Sequence, residues 1–244
     1  MTIDDLTDYK PGDYGKKRIK PSDWLNAHIK KWNSEKSEKE KMKKEKLVVP
    51  SVCFSRKVGV GALEIADILS ERTGLKVVDR EILQQMAQDT SLAQKTIELF
   101  DERHPGMMSE LSAMIFNEKS FILSDYYREL AKCVIALANL QPSIFVGRGI
   151  HLILPRDQVL AVRLICSDEY RIKRLAGIMK TTEAETKKRL DIIDKEQRDF
   201  FKDVYQKKDA SPYEFDLVIN MDHIKIPEQA AKIVECAFAQ KFDL

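Results

Sequence analysis

The stretch CFSRKVGVGALEIA, Cys53–Ala66, carries two glycines spaced G-x-G, Gly59 and Gly61, directly after Ser55, Arg56 and Lys57. A phosphate group needs converging backbone N–H donors, an approach free of Cβ atoms, and a helix N-terminus. Gly59 and Gly61 offer the approach. The amides of Gly59, Val60, Gly61 and Ala62 offer donors, and a helix starting near Ala62 offers the dipole. Measured against G-x-x-x-x-G-K-[ST], Gly61 takes the second glycine, Arg56 the first, Ala62 the lysine and Leu63 the Mg²⁺-binding hydroxyl. Two charge contacts are therefore replaced by apolar residues. Arg56 and Lys57 can bring positive charge from another direction. The alternative is a tight strand-to-helix turn with two surface cations.

Three further groups have the same kind of chemistry. Arg148 lies between Gly147 and Gly149, where a guanidinium can pair with phosphate oxygens bidentately, or it is an exposed turn residue. Arg171 and Arg174 are three apart and share a helix face. A second basic helix carries Asp194, Arg198 and Lys202 at i, i+4 spacing. Two such helices, joined by KTTEA, form either a lid that closes over phosphates or a solvated hairpin laced with ion pairs. Asp79 ends a second strand, beside the loop in a parallel sheet. It can organise Mg²⁺ or an acceptor, or cap the following helix.

Positioning these groups requires alternating strands and helices. The strands are Leu47–Ser55, LKVVD, PSIFVGRG, VLAVRLICS and FDLVINM. The helix after the loop runs to Thr73, with Gly74 as its C-terminal cap, and a long helical section broken at His104–Gly106 ends near Leu140. Ser167 caps one lid helix, Thr182 with Glu185 forms a capping box opening a second over Glu183–Gln206, and Pro227 opens the last helix. This alternation predicts an α/β fold with a mostly parallel sheet covered on both faces. In such sheets ligands bind at the strands' carboxyl ends.

The chain has 244 residues, 43% of them hydrophobic and 33% charged, with a net charge of +2. That balance makes no case for nucleic-acid or membrane binding, and no run approaches a membrane span. The acidic N-terminus lacks the apolar core of a signal peptide. Cys53, Cys133, Cys166 and Cys236 form no C-x-x-C pair and read as reduced thiols of a cytoplasmic protein. Residues 1–46 form a separate extension, with 13 Lys+Arg against 9 Asp+Glu; the remainder carries 28 against 30. Ser34–Lys46 has no apolar stripe and reads as a solvated helix or linker. Trp24 and Trp32 fall on one face of a short helix, which docks on the main body or on a protein partner.

In this order the motifs resemble the cytidylate kinase-like branch of the P-loop nucleoside monophosphate kinases, over Val48 to the C-terminus. Ser55, Arg56, Gly59, Gly61, Ile65 and Ala66 match a loop pattern S-R-x-x-G-S-G-G that already lacks the lysine. Val60 replaces its serine and Ala62 its last glycine. Asp79 and Arg80 match the segment after the second strand. Arg148 matches the arginine of V-G-R, with Gly149 where cytidylate kinases have aspartate. CSDEYRIKRL resembles the lid entrance, Lys195 and Arg198 match the lid's basic positions, and YEFDLVIN resembles the last strand. The resemblance implies a P-loop NTPase-type parallel sheet flanked by helices over residues 47–244, with a helical lid at 168–206. It implies ATP and Mg²⁺ as cofactors and a small nucleotide, CMP or dCMP, as acceptor. In that scheme the loop with Arg56 holds the donor phosphates, Arg80, Arg148 and Lys195 hold the acceptor, Arg171, Arg174 and Arg198 spread transition-state charge, and Asp79 serves the metal. Two other functions fit the same pattern: a non-catalytic nucleotide-binding regulator, and a kinase for another small phosphorylated acceptor.

Overall fold

The computed structural model describes residues 19–35, 49–103, 108–109, 125–208 and 210–244. The element order is α1 (Pro21–Glu35), β1 (Ser51–Arg56), α2 (Ala62–Thr73), β2 (Lys76–Val78), α3 (Arg80–Gln88), α4 (Thr90–Arg103), α5 (Asp125–Leu140), β3 (Ser143–Val146), β4 (Val159–Ile165), α6 (Asp168–Met179), α7 (Glu183–Tyr205), β5 (Leu217–Asn220) and α8 (Pro227–Phe242). Leu47 and Val48, the charged stretch Lys36–Lys46 and the break at His104–Gly106 lie outside the described residues. The five strands form one parallel sheet in the order β2-β3-β1-β4-β5.

β1 is buried along its whole length, as a central parallel strand covered on both faces must be. Its alternating side chains feed two cores. Val52 and Phe54 join Ile144, Val162 and Ile219 under α2 and α8. Cys53 joins Val78 and Phe145 under α3, α4 and α5. Local signals set the element ends. Gly74 closes α2 with φ +76°, Ser167 and the Thr182–Glu185 capping box open α6 and α7, and Pro227 opens α8.

The strand order corrects one expectation. β3 lies between β2 and β1, so Asp79 is not beside the loop but one strand further away. Sequence order does not reveal this, because a helical crossover can return a strand to either side of its predecessor.

α1 docks on the body. Leu25 is wholly buried in the α3–α5 core, with Trp24 and Ile29 packed against it. Trp24 stacks on His28 with ring centroids 3.9 Å apart. Trp32 falls within α1, but its side chain is not among those described. Among the described residues no helix is long and apolar enough to cross a membrane.

The chain leaving α7 is tied back to the body by a buried polar pair. His151 Nε2 lies 3.5 Å from Glu214 Oε2, and Lys207 Nζ donates to Glu214 Oε1 at 2.6 Å. Burial pushes the His151 imidazole down from 6.5 to about 4; Glu214 opposes this without outweighing it. Between those two values the unfolded chain takes up a proton that the folded chain refuses, so stability rises with pH across that window. The expected outcome is a melting temperature that falls as pH drops from 6.5 to about 4. The fall should be shallower in His151→Asn, measured by thermal unfolding at a series of pH values.

Candidate active site

The loop after β1 is shaped by two left-handed glycines, Gly59 at φ +96° and Gly61 at φ +91°. At Gly59 a Cβ would lie 2.9 Å from Leu175 Cδ1 and 3.1 Å from Arg171 Cβ. α6 therefore packs directly on the glycine backbone. Gly61 precedes α2 with no side-chain cap, which leaves the helix's first N–H groups available to an anion. Val60 and Ala62 are buried in the α2–α8 core. That is why apolar residues stand where a hydroxyl and a lysine were sought.

The cation over this loop is Arg174. Its guanidinium lies 3.3–3.4 Å from where a Gly61 Cβ would be, held by Glu64 of α2 at 2.6 Å. Arg56, expected to replace the missing lysine, is instead buried beneath the loop, with Nη2 3.8 Å from where a Gly147 Cβ would be. Arg56 lines both of two adjoining cavities. One is formed by the loop, Val58–Leu63, and Arg174. The other is formed by Arg80, Gly147, Arg148, Glu196, Gln197, Phe200 and Phe201. The second has a volume of about 40 Å³, room for about three waters. Three guanidinium groups, those of Arg56, Arg80 and Arg148, line it together with the Glu196 carboxylate.

In that second cavity Arg148 donates from Nη2 to Gln84 of α3 at 2.8 Å, and its guanidinium lies 4.5 Å above the Phe200 ring. Gln84, Glu196, Gln197, Phe200 and Phe201 carried no motif signal. The four on α7 share one helix face at i, i+1, i+4 and i+5, and Gln84 is one turn past Arg80.

Other expected site residues are placed elsewhere. Lys195 and Arg198 are exposed on another face of α7, and Lys57 is exposed in the loop; none lines either cavity. Ser55 Oγ accepts from Arg163 Nη1 at 2.7 Å. Asp79 Oδ1 accepts from the amides of Glu81 and Ile82, each at 3.0 Å, and so caps α3.

Arg171 is 2% exposed and lines neither cavity. It donates to Asp194 Oδ1 at 2.8 Å and Oδ2 at 2.7 Å, to the Val58 carbonyl at 3.2 Å, and to Asp168. Burial alone would lower its pKa, yet its bonds to Asp194 and Asp168 hold it above the usual value. Asp194 thus pairs across the hairpin with Arg171.

The parallel sheet and its flanking helices define an α/β protein, with α6 and α7 packed together as a helical hairpin beside the loop after β1. The sequence model of the cytidylate kinase-like family matches residues 51–223, and the chain belongs to that family. An uncharacterized protein from Eubacterium ventriosum shares the fold with a TM-score of 0.59 at 16% identity, over 78% of this chain and 98% of that one. Shikimate kinase from Bacteroides thetaiotaomicron aligns over 80% and 99% of the two chains at 11% identity and a TM-score of 0.42. Dephospho-CoA kinase from Campylobacter jejuni aligns over 78% and 98% at 14% and 0.32. No argument rests on the last two. No curated protein sequence matches the chain.

Arg171→Met should destabilise the fold by about 3–5 kcal/mol, because it strands the Asp194 carboxylate. Adding Asp194→Leu should recover much of that loss. Denaturant unfolding of the single and double variants checks both.

Proposed function

We propose that this chain transfers the γ-phosphoryl group of a nucleoside triphosphate, ATP, to a small phosphorylated acceptor, CMP or dCMP. The observation that carries this reading is Arg56, one guanidinium shared by the loop cavity and the arginine-lined cavity. Phosphoryl transfer needs two phosphates brought end to end with cations on the group in flight, and little else. In this reading the loop amides and Arg174 bind the donor phosphates, Arg80 and Arg148 bind the acceptor phosphate, and Arg56 stabilises the charge between them. Mg²⁺ supplies charge neutralisation on the donor phosphates when bound. Among the described residues no group of three His, Cys, Asp or Glu side chains could hold a metal, and Asp79 is engaged as a cap. The donor's own oxygens would be the main ligands. Lys57, Lys195 and Arg198 would take part only through further movement of the loop or lid.

The test is ADP release from Mg-ATP against a panel of nucleoside monophosphates, with product chromatography. Turnover with CMP or dCMP is expected. Arg148→Ala should raise acceptor KM at least about tenfold, about 1.4 kcal/mol. Arg56→Ala should lower kcat about 10²-fold or more with ATP still bound. ATP binding without turnover on any acceptor would instead assign a nucleotide-binding regulator. Turnover on a different phosphorylated acceptor would keep the reaction and overturn the substrate.

A further inference from the structure

No motif points to Tyr205, the last residue of α7. Its side chain is 2% exposed and packs on Phe200 and Phe201, with ring centroids 6.2 and 5.2 Å away. Its hydroxyl donates to the carbonyl oxygen of Arg148 at 2.5 Å. Arg148 has φ +54°, between Gly147 at +91° and Gly149 at +69°. A left-handed conformation is unfavourable for a residue with a Cβ, so the turn depends on outside bonds. The Gly147 N–H donates to the Phe54 carbonyl at 2.9 Å, and the Leu152 N–H donates to the Gly149 carbonyl at 2.8 Å. Tyr205 binds the carbonyl between them. A Cβ on Gly149 would lie 2.6 Å from Cε2, Cζ and Oη of Tyr205, so this glycine makes room for the ring as well as for the turn.

Helix α7 therefore touches Arg148 at both ends. Tyr205 holds the backbone and Phe200 lies under the guanidinium. We infer that Tyr205 is a positioning residue for Arg148. Its hydroxyl keeps the Gly147–Gly149 turn in the form that presents the guanidinium to an acceptor phosphate. That presentation then depends on α7 being docked. The inference rests on reading Arg148 as the acceptor-phosphate arginine.

Tyr205→Phe keeps the ring and removes only the hydroxyl. In the full chain, three quantities are measured: affinity for inorganic phosphate by calorimetry, acceptor KM and kcat with Mg-ATP, and affinity for a non-hydrolysable ATP analogue. Phosphate affinity should fall and acceptor KM should rise about three- to tenfold, the worth of one hydrogen bond. Affinity for the ATP analogue should not change. In an Arg148→Ala background, Tyr205→Phe should have no further effect on either. Gly149→Ala, which drives a methyl into the Tyr205 ring, should reproduce the loss. The inference is overturned if Tyr205→Phe behaves as wild type, if it causes the same loss with Arg148 already removed, or if wild type binds no phosphate. If phosphate responds as expected while no acceptor turns over, the inference stands and the proposed function fails.

Discussion

One guanidinium joins three segments far apart in sequence. Arg171 on α6 grips Asp194 on α7 with two bonds and reaches the Val58 carbonyl in the loop after β1. A small apolar cluster of Val58, Leu175 and Leu190 closes round the same junction. Taking a charge this deep into a protein is unfavourable unless its partners are well placed. Bidentate pairing with Asp194 meets that condition and ties α6 to α7. With α7 so fixed, its other face lays Phe200 beneath Arg148 and brings Glu196 and Gln197 to the cavity wall. Arg171, one of three arginines that the resemblance assigns to transition-state charge, is thus the one that joins α6 to α7.

The cations that line the two cavities are arranged differently. Arg174 arrives from the lid side onto Gly61, Arg80 and Arg148 come from the opposite wall, and Arg56 rises from the end of β1 between them. Glu64 is the carboxylate bound to Arg174. A phosphate entering the loop cavity must displace or share that carboxylate's hold on the guanidinium. Over Gly61 the cation is therefore Arg174 of α6, while the lysine position holds the buried Ala62.

Much of this fold was legible because local chemistry dictates it. The five runs expected to be strands are strands, and the caps at Ser167, Thr182 and Gly74 and the opening proline at 227 sit where their side chains or conformations predict. Asp79 shows the limit. Its position at a strand end was correct, but its sheet neighbour was not, since strand order is decided by crossovers that leave no local trace. On α7 the charged pattern drew attention to Lys195 and Arg198, while the cavity is lined by the face carrying Glu196, Gln197, Phe200 and Phe201. Which face of an amphipathic helix meets a site depends on tertiary partners, here Arg171 for Asp194 and the Arg148 carbonyl for Tyr205. Neither partner could be recognised from spacing along a single helix.

The loop glycine Gly59 and the turn glycine Gly149 share an unexpected trait. Each is obliged to lack a side chain by a lid residue pressed against it, Leu175 and Arg171 in one case and Tyr205 in the other. These two glycines are therefore a record of how the α6–α7 hairpin is seated. Under the proposed function, a descendant that had lost every contact with nucleotide but kept the same hairpin would remain under pressure to retain both. The glycine pattern would then persist in its sequence as a packing fossil, and the arginines at 56, 80, 148 and 174 would be the residues free to drift.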